Sequence, residues 1–381
     1  MAKKSREMRS QGIDVISFSL GEPDFDTPQF IKDSAIQAIE DGYTYYPPVN
    51  GYGDLRETIC EKFMRDNNLH FEPEQIVVST GGKQSIANVI FALVEDGDEV
   101  VLPAPFWVTY PEQVNLAGGK VVPIYTSVET DYKMTAEQLD AALTQDTKLL
   151  VYSSPCNPSG SVYSRDELEA FAKVIEKYPN LVVVSDEMYE HILFEGSRAS
   201  LAEFPAIREQ VVILNGLSKG FAMTGWRLGY VAAPLWLAKA CAKFQGQITS
   251  GANAMTQRAA ITAIAADPNR PEVQDMVSTF KKRRDLILTL MKDIPGMKSH
   301  KPTGAFYVLP DISYYFGKSN GGTTINNASD FAEYLLLKAH VALVSGEPFG
   351  VPNCVRISYA NSDEQIKEGL KRIKAALAEL S

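Results

Sequence analysis

Five segments of this 381-residue sequence carry side chains able to do chemistry on a small molecule. Thr80-Gly81-Gly82-Lys83 is a glycine turn of the kind that lets backbone N–H groups approach an anion at a helix start. Trp107 offers a flat aromatic face. Asn157, in the turn Asn157-Pro158-Ser159-Gly160, offers an amide, and Asp186-Glu187-Met188-Tyr189 offers a carboxylate and a phenol. Ser218-Lys219 offers a hydroxyl and a primary amine, with Arg227 eight residues further on. Taken singly, each has an ordinary reading as a turn, a helix cap, a core tryptophan, a surface lysine or a surface ion pair. Taken together they meet a demanding set of requirements. A lysine amine can condense with an aldehyde, a carboxylate can keep a pyridine nitrogen protonated, polar donors can stabilise a ring phenolate, and N–H groups with a cation can bind phosphate. Pyridoxal 5'-phosphate (PLP) is the cofactor that needs all four, and the amine that would carry it as a Schiff base is Lys219.

These residues must be delivered to one place by the chain around them. Short, β-branched apolar runs, too brief for helices, recur at Gln75-Ser79, Glu99-Leu102, Lys120-Tyr125, Lys148-Tyr152, Leu181-Ser185, Val211-Leu214 and Gly229-Ala232, and they read as buried strands. Helical periodicity fills most of the gaps, as with Ile86, Val89, Ile90, Leu93 and Val94, or Leu168, Phe171, Ala172 and Ile175. The expected fold is therefore α/β, a large domain whose mostly parallel seven-stranded sheet is flanked by helices. Ligands of open α/β sheets bind beyond the carboxyl ends of the strands, which is where the five segments fall. After residue 285 the pattern turns to shorter segments, with strands at Ala305-Leu309 and Val355-Ser358 and a helix from Asp363 to Leu380. The expected division is a large domain over residues 30–284 and a smaller α+β domain built from residues 1–29, including a strand at Asp14-Ser19, and 285–381.

Composition narrows the function classes. With 45% hydrophobic and 22% charged residues the chain is globular, and its net charge of −10 argues against nucleic acid or anionic lipid as a partner. The basic run Lys281-Arg284 is expected to be a solvated helix face. No apolar run approaches the ~20 residues of a membrane-spanning helix, and the basic start is not followed by a signal-peptide core, so a cytoplasmic enzyme is expected. The four cysteines and four histidines show no metal-ligand spacing, so neither a metal site nor structural disulfides are expected, and Cys156 reads as a packing thiol.

Four stretches, Gly21-Glu22-Pro23-Asp24-Phe25-Asp26-Thr27-Pro28, Asn157-Pro158-Ser159-Gly160, Ser185-Asp186-Glu187-Met188-Tyr189 and Ser218 through Arg227, resemble the class I PLP-dependent aminotransferases of fold type I. The turn Gly81-Gly82-Lys83-Gln84 is similar to that of a bacterial aspartate aminotransferase subgroup. The resemblance runs over essentially the whole chain, with Ser159 standing where a threonine is common and a start close to the Asp14 strand that lacks a longer N-terminal arm. It implies that Lys219 carries PLP and moves the proton between substrate Cα and the cofactor, that Asp186 pairs with the pyridine nitrogen, and that Tyr189 and Asn157 hydrogen-bond the ring oxygen. It further implies that Trp107 stacks on the ring and that Arg227, Ser218 and the Gly81-Gly82-Lys83 backbone hold the phosphate, which Tyr46 reaches from the other subunit of a homodimer. Arg356, helped by Gly21 and Asn157, would take the substrate α-carboxylate and Lys83 a distal one. The implied reaction is reversible amino transfer from L-aspartate to 2-oxoglutarate. Prephenate, aromatic or alanine aminotransferases and a PLP-dependent β-lyase share the same cofactor residues, and a ligand-sensing regulator would need a helix-turn-helix module that neither end of the chain provides.

Overall fold

A computed structural model describes residues 2–381. A helix, Ala2–Ser10, precedes the short strand Ile16–Ser17 (β1). Seven strands follow, each at an apolar run: Ile76–Ser79 (β2), Glu99–Pro103 (β3), Lys120–Ile124 (β4), Thr147–Ser153 (β5), Val182–Asp186 (β6), Val211–Gly216 (β7) and Gly229–Ala232 (β8). They form one sheet in the order β2-β8-β7-β6-β5-β3-β4. Only β8 runs antiparallel, to β2 on one side and β7 on the other. Central strands β5, β6 and β7 are buried nearly throughout, which explains their unbroken apolar character. Helices cover both faces, giving one apolar core on each side of the sheet.

The order reverses between β3 and β5, which makes that edge a topological switch point where a crevice opens at the strand ends. The C-terminal ends of β2, β3, β5, β6 and β7 therefore share one rim. Because β8 runs the other way, its N-terminal end arrives at the same rim, bringing Arg227 with it.

A third core joins both ends of the chain. Tyr307–Val308 (β9) pairs with the later strand Val355–Ser358, a hairpin of Ser319–Asn320 (β10) and Thr323–Thr324 (β11) lies nearby in sequence, and Val341–Ala342 (β12) pairs in parallel with β1. Val344–Ser345 (β13) and Val355–Ser358 (β14) complete a three-stranded sheet with β9. The N-terminal segment is tied into this layer by Arg372, which bonds the Asp14 carboxylate at 2.6 Å, and by Ser358 N–H, which donates to Phe18 O at 2.9 Å.

Several expectations are corrected. Only Ile16–Ser17 of Asp14-Ser19 and only Tyr307–Val308 of Ala305-Leu309 enter ladders, and the last helix ends at Leu377. The basic run 281–284 lies in the continuous helix Pro271–Met291. Of the basic run in that helix, Lys281 and Lys282 are exposed, but Arg283 and Arg284 are buried. They fall at i+3 and i+4 from buried Phe280, on the face that packs inward. Arg283 bonds Asp24 at 2.7 Å, and Arg284 bonds Glu195 at 2.9 Å, Asp285 at 2.7 Å and the Pro302 carbonyl at 3.0 Å. Two buried guanidiniums are thus paired rather than solvated.

Candidate active site

The shared rim encloses a cavity of about 390 Å³. Gly82 and Lys83 line it from the turn after β2, Trp107 from beyond β3, and Asn157 from beyond β5. Asp186 and Tyr189 reach it from the end of β6, Ser218 and Lys219 from beyond β7, and Arg227 from before β8. Gly21 and Arg356 close it from the layer built by the chain ends.

Lys219 stands where the large sheet meets the N-terminal segment, its Nζ donating to the Gly21 carbonyl at 2.6 Å. Burial lowers its pKa to about 8, with Glu22 opposing and Arg356 and Arg227 reinforcing the shift. An amine with that pKa is partly neutral near physiological pH, the form that can act as nucleophile or base. Asp186 ends β6 and is buried. Burial pushes its pKa up, while hydrogen bonds from the Tyr110 hydroxyl to Oδ2 and from Met188 N–H to Oδ1 at 3.0 Å pull it back. A buried carboxylate held in this way favours a cationic N–H partner.

Arg356 is held by two hydrogen bonds and two aromatic rings. Nη1 donates to Asn157 Oδ1 at 2.9 Å and Nη2 to the Ser19 carbonyl at 2.8 Å. Its guanidinium also lies 4.7 Å from the Tyr307 ring centroid and 5.2 Å from that of Phe349. Nε is buried and has no partner within the chain, so the guanidinium keeps donor capacity beyond these two bonds.

The opposite part of the cavity is built for an anion. Gly81 caps the helix Gly82–Leu93 with φ +82°, no side chain caps that helix, and no acidic residue occupies its first turn. Its N–H groups and the positive end of its dipole remain available to a phosphate. A Cβ on Gly81 would lie 2.6 Å from the Arg227 guanidinium, and one on Gly229 would lie 2.4 Å from Gly82 N, so both glycines are there for close approach. Arg227 itself holds a left-handed conformation, φ +57°, and Nη1 donates to the Thr224 carbonyl at 2.9 Å. Strain of this kind in a non-glycine residue is common where a side chain must be aimed. Lys83 Nζ lies 5.0 Å from the Trp107 ring centroid.

These features fit a flat, phosphorylated pyridine. The residues supply a depressed amine, a buried carboxylate between two donors, an indole face and an anion cradle around a single cavity. Among the described residues no group of three or more His, Cys, Asp and Glu side chains could hold a metal, and no helix is long and apolar enough to cross a membrane. The four cysteines are free, and Cys156 is buried with its thiol pushed up by burial.

Two expected residues are not among those lining the cavity: Gly81, which directly precedes Gly82, and Tyr46. Tyr46 is 96% exposed and is not among the residues lining the cavity of its own chain. Tyr189 reaches the cavity, but its hydroxyl is 2.8 Å from that of Tyr307, a partner that sequence reasoning missed. Tyr110, Phe349 and Val344 were missed as well. Of these only Tyr110 left a signal, lying one helical turn beyond Trp107.

Fold and site together define a PLP-dependent transferase, and the comparisons agree. The family described as aminotransferase class I and II matches residues 13–373, nearly the whole chain, and the chain belongs to that family, whose members depend on PLP. Within it, the chain is 42% identical to an aspartate/prephenate aminotransferase of Cereibacter sphaeroides, over 100% of this chain and 96% of that one. It is 44% identical to a bifunctional aspartate aminotransferase and glutamate/aspartate-prephenate aminotransferase of Petunia hybrida, over 96% of this chain and 77% of that protein. Among solved structures, the aspartate aminotransferase of Rhizobium meliloti superposes with a TM-score of 0.96 at 38% identity, covering 100% of this chain and 95% of that one. The Thermus thermophilus aspartate aminotransferase with maleate superposes at 0.92 and 39% identity, covering 98% and 95%.

Proposed function

We propose that this chain catalyses reversible amino transfer from L-aspartate to 2-oxoglutarate by a ping-pong route, with PLP held at Lys219. The observation that carries the reading is that Arg356, buried and with Nε unpartnered, lines the same cavity as Lys219 and Lys83. Of the four basic side chains lining the cavity, Arg356 and Lys83 are those not assigned to the cofactor's aldehyde or phosphate by side chain, which suits a dicarboxylic substrate, and the Thermus relative was solved with maleate, a dicarboxylate.

PLP, when bound, supplies an electrophilic carbonyl carbon and a ring that accepts electrons. The chain's residues do the rest. Arg356 binds the substrate α-carboxylate in a planar fork, with Asn157 beside it, and so orients the Cα–H bond. Lys83 takes the distal carboxylate. Lys219 Nζ, its basicity tuned by burial, takes the proton from substrate Cα. Asp186 would hold the proton on the ring nitrogen, and Tyr189 with Asn157 would bond the ring oxygen. Trp107 would flank the ring; Arg227, Ser218 and the Gly81-Gly82-Lys83 backbone would bind the phosphate. Residues 1–29 and 285–381 act as the smaller domain, and its contacts through Arg356 draw the two layers together around the substrate and exclude water. Tyr46, exposed on its own chain, reaches the phosphate of a partner subunit in a homodimer.

A second reading, in which prephenate serves as acceptor, is favoured by the names of the Cereibacter and Petunia relatives. Both are tested by incubating the PLP-loaded protein with L-aspartate and either 2-oxoglutarate or prephenate, and measuring oxaloacetate. Oxaloacetate with 2-oxoglutarate supports the first reading, and oxaloacetate with prephenate adds the second. Pyruvate and ammonia released without an acceptor from a donor with a β-thiolate leaving group, such as L-cystathionine, would replace both by a lyase.

A further inference from the structure

Asp186 needs more than burial to do the work assigned to it. A carboxylate turns easily about its last torsion, whose well is broad and two-fold. If it turned, its free lone pairs would leave the ring nitrogen. In this chain each oxygen has its own donor: Met188 N–H on Oδ1, from the same turn, and the Tyr110 hydroxyl on Oδ2, from 76 residues away. Met188 fixes one oxygen locally, and the phenol fixes the plane.

The phenol is itself held. Tyr110 is 1% exposed, on the helix Thr109–Leu116. Its N–H donates to the Trp107 carbonyl at 3.0 Å, and its ring meets the indole edge-on, 5.7 Å between centroids at 84°. One helical turn therefore carries both the wall of the cavity and the donor to the carboxylate at its floor. Asp186 is the hydroxyl's hydrogen-bond partner, and Tyr110 is almost wholly buried.

Resting on the reading that Asp186 pairs with the cofactor's ring nitrogen, we propose that Tyr110 is a positioning residue: by donating to Oδ2 it keeps the free lone pairs of Asp186 on that nitrogen and sets how firmly the ring proton is held. Charge-assisted O–H···O⁻ bonds in a dry site are among the stronger hydrogen bonds, so removing this one should be felt at the ring.

The test compares wild-type holoenzyme with Tyr110→Phe, which removes one oxygen and keeps the ring. Two quantities are read: the pH midpoint at which the visible band of bound PLP changes, and the PLP dissociation constant of the stripped protein. With the ring proton held less firmly, less positive charge lies near the nitrogen that Lys219 contributes, so the midpoint moves up, by about half to one pH unit. PLP binds about 10-fold more weakly, in line with loss of one hydrogen bond to a charged group. The turnover number falls while KM for the amino donor stays within about twofold, because donor binding is left to other residues. In an Asp186→Asn background, Tyr110→Phe adds little, since the coupling it would break is already gone. Tyr152→Phe removes another buried phenol, 2.7 Å from Ser185 Oγ, and should change neither quantity. A folded Tyr110→Phe variant with wild-type midpoint and dissociation constant overturns the inference, and so do additive effects with Asp186→Asn. Where Tyr110→Phe does not fold, replacing Tyr110 by 3,5-difluorotyrosine keeps the volume and strengthens the donor, and the midpoint must then move down; no movement overturns the inference. A wild-type protein with no visible band removes the reading of the site and this inference with it, whereas a normal wild-type band with an unaffected Tyr110→Phe removes the inference alone.

Discussion

Replacing Lys219 by methionine should stabilise the cofactor-free protein while abolishing turnover. Burial lowers the Lys219 pKa from 10.5 to about 8, a drop of 10.5 − 8 = 2.5 units. At about 1.4 kcal/mol per unit, keeping this amine charged in the folded state costs about 3 kcal/mol. Methionine has a similar length and no charge, but it loses the bond from Nζ to the Gly21 carbonyl, which contributes about 1 kcal/mol. The expected net gain at pH 7 is about 2 kcal/mol. The sign depends on pH. Below pH 8 the amine is charged in both folded and unfolded chains, and the whole penalty is present. Between pH 8 and 10.5 the folded chain sheds its proton first and the penalty fades. By pH 10.5 the advantage of the variant should be gone. The assay is equilibrium denaturation of stripped wild type and variant at equal protein concentration, at pH 7 and at pH 10.5. A variant less stable than wild type at pH 7, or an advantage that does not shrink at pH 10.5, would falsify the claim that burial of a charged amine is strained here. Other groups titrating in this range are common to both proteins and cancel in the difference.

Four further outcomes are expected. Arg356→Lys keeps the charge but loses the fork, and should raise KM for aspartate about 10- to 100-fold with PLP binding unchanged, as read by steady-state kinetics and PLP titration. Lys83→Met should lower the preference for aspartate over alanine by about 10-fold in kcat/KM, and an unchanged ratio would remove Lys83 from the substrate site. Gly229→Ala places a Cβ 2.4 Å from Gly82 N, so it should destabilise the protein by about 1–3 kcal/mol and weaken PLP binding by displacing the phosphate turn; thermal melts and PLP titration read both effects. Lys62→Met leaves Glu190, its buried partner at 2.6 Å, unpaired and should cost about 3–5 kcal/mol in a denaturation assay, most of which returns when Glu190→Leu is added.

Six of the seven sheet strands could be read from sequence because a strand buried on both faces is a short apolar run and little else; β4, at the edge and partly exposed, was legible from its β-branched residues, and each run lies within one or two residues of its ladder. The chemistry-bearing residues were legible for a related reason: in an open α/β sheet they follow strands directly, as Asp186 ends β6 and Lys219 follows β7. The antiparallel course of β8 was not legible, since Gly229-Ala232 reads the same in either direction. It is this reversal that brings Arg227 to the rim from the strand's N-terminal side. The burial of Arg283 and Arg284 was equally hidden, because a basic run names its charge and not the Asp24 and Glu195 that meet it.

What the sequence determined by itself was local: element type, the residue at each strand end, and a resemblance over the whole chain strong enough to set family and cofactor. What only the tertiary structure decided was pairing across the chain. Tyr110 donates to Asp186 over 76 residues, Tyr189 meets Tyr307 over 118, and Arg356 reaches Asn157 over 199. Periodicity and propensity act within a few residues, whereas these contacts depend on the order of strands in the sheet and on the packing of the N-terminal segment against the C-terminal layer. The amine's lowered pKa has the same origin, for it is burial by distant parts of the chain that desolvates Lys219.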